Sequence, residues 1–239
     1  MANSILVLGF TGQGKSTSLF PNSELGIKGL DPKETFIISI TRKPLPFKGW
    51  KNVYKEWSKD NPTEGNLFYS DNVENIIRVI KYIVTKRTEI KNIVIDDFHY
   101  LMVEQYMGKI LEGGYAKYNI MSKDLFDLIK LTFLIKEDIN LIYLGHPEVE
   151  NGKYKLKSVG KLVDKSVTPE GYFTYLFCSC VRHTEDGKPV YGFYTNNSID
   201  PLTGIEIIAK TPLQAFSEQI IPNDMGYIVD QIEKYNKGE

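Results

Sequence analysis

One stretch near the start of this chain has the composition and spacing of an anion cradle. Gly9-Phe10-Thr11-Gly12-Gln13-Gly14-Lys15-Ser16 matches G-x-x-x-x-G-K-S at every fixed position, and Thr17 follows directly. Glycines let the backbone fold tightly enough to aim successive N–H groups at one anion. Lys15 supplies a mobile ammonium for the β and γ phosphates of a nucleotide, and Ser16 a hydroxyl for Mg²⁺. A second patch supplies carboxylates. Asn92-Ile93-Val94-Ile95-Asp96-Asp97 is an apolar run ending in two acids. Asp96 is the candidate Mg²⁺ carboxylate, acting through water. Asp97, pointing differently, is a candidate base or water-orienting group. A third patch, Leu144-Gly145-His146, ends a further apolar run in a polar side chain. His146 is a candidate contact for a γ-phosphate or its attacking water. His99 and His183 have no such context and are assigned structural roles.

These groups need a scaffold, and the hydrophobic pattern describes one. Ile5–Leu8, Thr35–Ile40, Ile93–Ile95 and Leu141–Leu144 read as short apolar strands. A helix opens at Lys15 and runs to Leu19, before Pro21, bringing its positive end to the phosphates. A second helix, capped by Asp71, carries Val73, Ile76, Ile77, Ile80, Ile83 and Val84 at helical spacing. A third covers Leu125–Lys136. Alternating strands and helices imply crossover units and a mostly parallel sheet with helices on both faces. Ligands in such sheets bind beyond the carboxyl ends of the strands, where all three patches fall. After residue 150 the segments Tyr172–Val181, Val190–Thr195 and Ile205–Ala209 are β-rich, and are expected to extend the same sheet in antiparallel fashion. A last helix spans Asp224–Tyr235. Residues 1–239 are read as a single α/β domain.

Bulk properties agree with this. The 239 residues are 42% hydrophobic and 25% charged with net charge −1, which is ordinary globular composition and gives no general help to polyanion binding. No stretch approaches the roughly 20 apolar residues of a membrane helix, and the start lacks a secretory leader, so a cytoplasmic location is expected. Cys178 and Cys180 would share one strand face; with no clustered His or further Cys, they read as structural thiols rather than a zinc set.

Taken together, the loop, the Asp96-Asp97 strand end and the polar residue closing the next strand resemble the RecA-like branch of P-loop ATPases. More narrowly, the chain resembles the small phage-encoded RecA-like ATPases of recombination and single-strand annealing modules. Gly145–Glu150, Gly160–Lys165 with Pro169-Glu170-Gly171, Ala209–Pro212 and Ile221–Asp224 carry that likeness. It implies ATP and Mg²⁺ as ligands, and a ring or filament of like subunits with nucleotide between them. It also implies a basic residue lent by the neighbour, for which Lys210 is the candidate, and a phage protein working in the bacterial cytoplasm. Single-stranded DNA is the implied partner. Lys153, Lys155, Lys157, Lys161 and Lys165, interleaved with Tyr154 and Gly160, are the candidate contacts (loop 153–165), since lysines track phosphates and aromatics stack on bases. Arg42–Lys51 is a second basic-aromatic stretch, for DNA, adenine or a neighbouring subunit. One departure stands out. Bacterial RecA recombinases carry a catalytic glutamate where this chain reads Ser39-Ile40-Thr41-Arg42. Competing readings are an ATP-gated DNA-binding or assembly module with little turnover, a small-molecule phosphotransferase, and a packaging or helicase-type motor.

Overall fold

A computed structural model describes residues 1–159, 168–201 and 203–239. The apolar run at the start forms β1 (Asn3–Leu8), whose side chains are buried on both faces. Ile5 and Val7 point into one core and Leu6 and Leu8 into another, as the two-residue period of a strand requires. Seven more strands share its sheet. They are β2 (Thr35–Ser39), β3 (Leu67–Tyr69), β4 (Asn92–Asp96), β5 (Asn140–Gly145), β8 (Tyr175–His183), β9 (Pro189–Tyr194) and β12 (Ile220–Pro222). The order is β12-β9-β8-β1-β5-β4-β2-β3. Strands β8 through β3 run parallel, while β9 and β12 are antiparallel additions at one margin. The architecture is therefore α/β, as expected.

Helices cover both faces. On one lie α2 (Val73–Lys86), α3 (Tyr100–Gly108) and α4 (Ala116–Leu134), whose Ile76, Ile80, Leu128 and Ile129 share one core with Leu6 and Leu8. On the other lie the short α1 (Trp50–Val53) and the C-terminal α5 (Met225–Lys237), with Met225, Ile228 and Ile232 against Ile5 and Val7. Among the described residues no helix is long and apolar enough to cross a membrane.

Strand β8 joins β1 in parallel, not the expected antiparallel, fashion, and Tyr172 lies in a 3-10 turn before it. Four further differences concern element bounds and partners. Asn72, not Asp71, caps α2, its side chain accepting from Asn75 N at 2.9 Å. Helix α4 starts nine residues before Leu125, because Lys117 buries its stem and donates to the Lys109 and Glu112 carbonyls at 3.1 and 2.8 Å. The helix expected over Lys15–Leu19 is one 3-10 turn, Thr17–Leu19. Pro21 holds Phe20 extended (φ −113°, ψ 137°), so the turn cannot continue and carries little macrodipole.

The fourth difference concerns Ile205–Ala209, which does not extend the main sheet. Its strand β11 (Glu206–Ile207) joins a separate four-stranded sheet with β6 (Pro147–Glu150), β7 (Lys153–Leu156) and β10 (Ser198–Ile199). That sheet grows directly from the end of β5. Asn151 and Gly152 both adopt positive φ (52° and 76°), the turn that matches a right-twisted hairpin, and set β6 against β7.

Asp224 fastens α5 to the rest. Its carboxylate is 5% exposed and accepts from the backbone N–H groups of Lys28, Gly29, Gly226 and Tyr227. Asp224→Ala would leave these donors buried and unpaired. A loss of about 3 kcal/mol or more in urea denaturation is expected, and a change within about 0.5 kcal/mol would contradict this role.

Candidate functional site

The parallel strands end level with one another. Leu8 pairs with Gly145 and Ser39 with Asp96, so the segments that follow β1, β2, β4 and β5 all emerge at one edge. There the loop after β1 folds onto its own groups. Phe10 N donates to Gln13 Oε1 at 2.8 Å, and Gln13 N to Phe10 O at 3.2 Å. Lys15 is 7% exposed and its Nζ donates to the carbonyls of Gly9 (2.5 Å) and Phe10 (3.2 Å). Burial pushes this amine down to about 8, against the pull of Asp97 and Asp96. It is therefore an ammonium with little water to lose when an anion arrives.

Two glycines are required by packing as well as by backbone shape. A Cβ on Gly9 would lie 1.7 Å from Ser179 Oγ on β8. Gly14, at φ 82°, abuts the Asn223 side chain, with Oδ1 2.8 Å from where its Cβ would be. The Asn223 Nδ2 is buried without a hydrogen-bond partner. An orphan donor beside the loop is the kind of group that an anionic ligand satisfies. In the sequence Asn223 stands out only within the family likeness, with no motif that marks it for the site.

The loop and the acidic strand end meet as expected. Ser16 Oγ donates to Asp96 Oδ1 at 3.1 Å across 80 residues of sequence. Burial, with the charge of Asp97 next door, pushes the Asp96 carboxyl up to about 6. A hydroxyl and a carboxylate side by side are two hard oxygen donors, so the pair fits Mg²⁺ bound at Ser16 with the Asp96 carboxylate holding it through a water. Thr17 lies in the 3-10 turn just beyond, and Thr11 and Gly12 complete the lining of the loop.

Asp97 turns elsewhere. Its backbone is left-handed (φ 60°), rare outside glycine, and this swings its side chain away from Asp96 toward β2. Thr41 Oγ1 donates to Asp97 Oδ2 at 2.8 Å, and the Lys43 ammonium lies 2.8 Å from the same oxygen. His146 Nε2 is 3.7 Å from Oδ1. Although burial opposes it, these three partners hold the Asp97 carboxyl well below the usual carboxylate range. A carboxylate so stabilised is a weak base. Lys43 also lies over the Tyr100 ring, 5.1 Å from its centre. Lys43 thus has a specific electrostatic task, where the sequence offered only an undifferentiated basic stretch. Thr41 stands where the resemblance led one to look for glutamate, and it serves Asp97 instead.

His99 belongs to this cluster as well. It is 3% exposed, and its ring centre lies 4.5 Å from that of His146. Burial, then the nearby His146, push its imidazole down to about 3, so it is neutral at physiological pH. The sequence gave no signal for this beyond the i+2 spacing from Asp97.

Lys15, Ser16, Lys43, Asp96, Asp97 and His146 line a cleft of about 1210 Å³, ample for a nucleotide. It continues from the loop past apolar Leu25, Val190, Ile220 and Pro222, contributed by the segment after the 3-10 turn and by β9 and β12. Val190 and Pro222 were legible only as parts of a β-rich segment and of a family likeness, and no local pattern marks Leu25 or Ile220 for a site.

The remaining candidates lie apart. Lys210 forms a bridge with Leu176, and its Nζ donates to Gly171 O at 3.3 Å, outside the cleft of its own chain. Lys153 pairs with Glu206 at 2.6 Å, and Lys155 with Glu148 and Glu150 at 3.2 and 2.9 Å. These lysines face carboxylates of the small sheet, so a DNA phosphate would have to displace them. Tyr154 packs edge-on against Phe10 of the loop, ring centres 5.4 Å apart. Lys157 N donates to His146 O at 2.9 Å. Gly160, Lys161 and Lys165 lie outside the described residues. Cys178 and Cys180 are free thiols, the first buried.

No protein-family model matches the chain, and no curated protein does. Among solved structures, it is similar to a KaiC-like protein from the hyperthermophilic archaeon Pyrococcus horikoshii, with 15% identity over 80% of this chain and 77% of that one, at a TM-score of 0.43.

Proposed function

We propose that this chain is a RecA-like P-loop nucleoside triphosphatase that binds ATP with Mg²⁺ and cleaves the γ-phosphate. The observation that carries this is the meeting of Lys15, Ser16 and Asp96 at the mouth of a nucleotide-sized cleft. Loop N–H groups and the Lys15 ammonium bind the β and γ phosphates, Lys15 exchanging its carbonyl partners for phosphate oxygens. Ser16 and Asp96 hold Mg²⁺, which when bound neutralises charge on the phosphate oxygens. Water attacks the γ-phosphorus, the bond to the bridging oxygen breaks, and ADP leaves with inorganic phosphate. Asp97 orients that water through Oδ1, beside His146. Lys210, exposed and away from its own cleft, is the finger offered to a neighbouring subunit's γ-phosphate in a ring or filament.

Single-stranded DNA is the proposed effector, in recombination or annealing. Its contact is the hairpin β6–β7 and the segment after it, tied to the site through Tyr154 on Phe10 and Lys157 on His146. Phosphate release should rise at least tenfold with single-stranded DNA, and Lys157→Glu with Lys161→Glu should abolish the rise. Hydrolysis that ignores DNA would remove the DNA reading and leave the ATPase.

One observation favours a second reading, an ATP-gated binding module with slow turnover. Asp97, the nearest candidate base, is neutralised by Lys43, and Thr41 offers no carboxylate. Tight Mg²⁺-dependent ATP binding with negligible phosphate release, DNA present, would select it.

A further inference from the structure

The turn after β4 gathers three donor groups that phosphate binding at Lys15 does not use. The ligand atoms of Asp97, His99 and His146 all lie within 4.8 Å of one another. We propose that these three side chains bind a divalent transition-metal ion, of the zinc or cobalt class, at a site separate from the Ser16–Asp96 pair. Two imidazoles and a carboxylate form a donor set for such ions rather than for Mg²⁺ or Ca²⁺, which take oxygens.

The geometry is close to what coordination needs. Ligands around a four-coordinate ion with bonds of about 2.0–2.1 Å stand roughly 3.3 Å apart. His146 Nε2 and Asp97 Oδ1 are 3.7 Å apart and no pair of ligand atoms is more than 4.8 Å apart, so side-chain rotations that draw the three groups together close the cluster. The two oxygens of Asp97 are already divided in role. Oδ2 is taken by Thr41 and Lys43, and Oδ1 faces the histidine. An outer partner that fixes the ligating carboxylate is a regular companion of metal sites.

An independent observation comes from His99. Its Nδ1 is buried without a hydrogen-bond partner, in a residue 3% exposed. An unpaired buried polar atom costs free energy that coordination would recover. Three protein ligands leave a position for water or a phosphate oxygen, which is the pattern of catalytic rather than purely structural sites. The ion would also occupy Asp97 Oδ1, so its presence would change how Asp97 meets water at the γ-phosphate. The site itself does not depend on the nucleotide reading.

Chelator-treated full-length protein, free of nucleotide, should be titrated with Co²⁺ and followed by visible absorption, with Zn²⁺ calorimetry in parallel. One equivalent of Co²⁺ giving the d–d bands of a low-coordinate site is expected. His146→Ala should weaken binding at least 100-fold. Thr41→Val, which removes only the outer hydrogen bond, should weaken it by about 10–100-fold. Ser16→Ala should leave it unchanged. His146 is partly exposed, so its variant avoids the folding risk of truncating His99. Co²⁺ binding that survives His146→Ala, or that is lost in Ser16→Ala, would overturn the proposal by placing the ion elsewhere. Absence of Co²⁺ binding in a sample that still binds ATP would overturn it and leave the nucleotide reading intact.

Discussion

Asp96→Asn should make the nucleotide-free protein more stable at pH 7.5 while removing its Mg²⁺-dependent hydrolysis. The Asp96 carboxyl is pushed from 3.8 up to about 6, first by burial and then by Asp97. A carboxyl whose pKa is raised on folding holds its proton more tightly in the folded chain. Its contribution to stability is therefore full below about pH 4 and is lost as pH rises through about 6. Above that, the ionised group costs the folded state about 3 kcal/mol, and a neutral amide escapes the cost while still accepting from Ser16. Urea denaturation of the variant should show that gain at pH 7.5 and none at pH 4. A destabilised variant at pH 7.5 would contradict this account of Asp96. Mg²⁺-dependent phosphate release should fall about 10²–10³-fold, since no carboxylate remains beside Ser16. Mg²⁺ must also displace the Asp96 proton, so its affinity should decline as pH drops below about 6. A residue that costs stability and is kept at the mouth of a cleft is behaving as a functional group.

Lys15→Ala should have the larger kinetic effect. The ammonium is buried against the loop's own carbonyls, in the lining of the cleft. Phosphate release should fall at least about 10³-fold. Lys15→Arg should not restore it. A planar guanidinium fork does not fit a pocket that leaves lysine 7% exposed, and it demands paired acceptors where the loop provides converging carbonyls. Residual turnover above about a tenth of wild type in either variant would show that the hydrolytic centre lies elsewhere.

Legibility in the sequence followed the range of the interactions. The loop, the Asp96 strand end and the strands carrying them are local patterns, and all sit where local patterning put them. Strand β1 was readable because four consecutive apolar residues are needed for burial on two faces. Helix α3 was not readable, since Tyr100–Gly108 has no well-defined apolar face. The β6–β7 hairpin had a usable signal, Asn151-Gly152 between alternating residues, but charge rather than turn chemistry was read from that segment. The same lysines that looked like a DNA track are in part the charged partners of Glu148, Glu150 and Glu206, a pairing created by strands that meet only on folding. Inside the site, Lys43 and Thr41 reach Asp97 across 54 and 56 residues, and His99 meets His146 across two helices and a strand. No motif at fixed spacing encodes such contacts.

Calorimetric titration of ATP into the full-length protein, with Mg²⁺ and then with Mg²⁺ chelated, tests the central claim most directly. One equivalent bound with Mg²⁺, markedly weaker without it and lost in Lys15→Ala, is the expected result. No binding at millimolar ATP with Mg²⁺ present, or binding indifferent to both Mg²⁺ and Lys15, would contradict it.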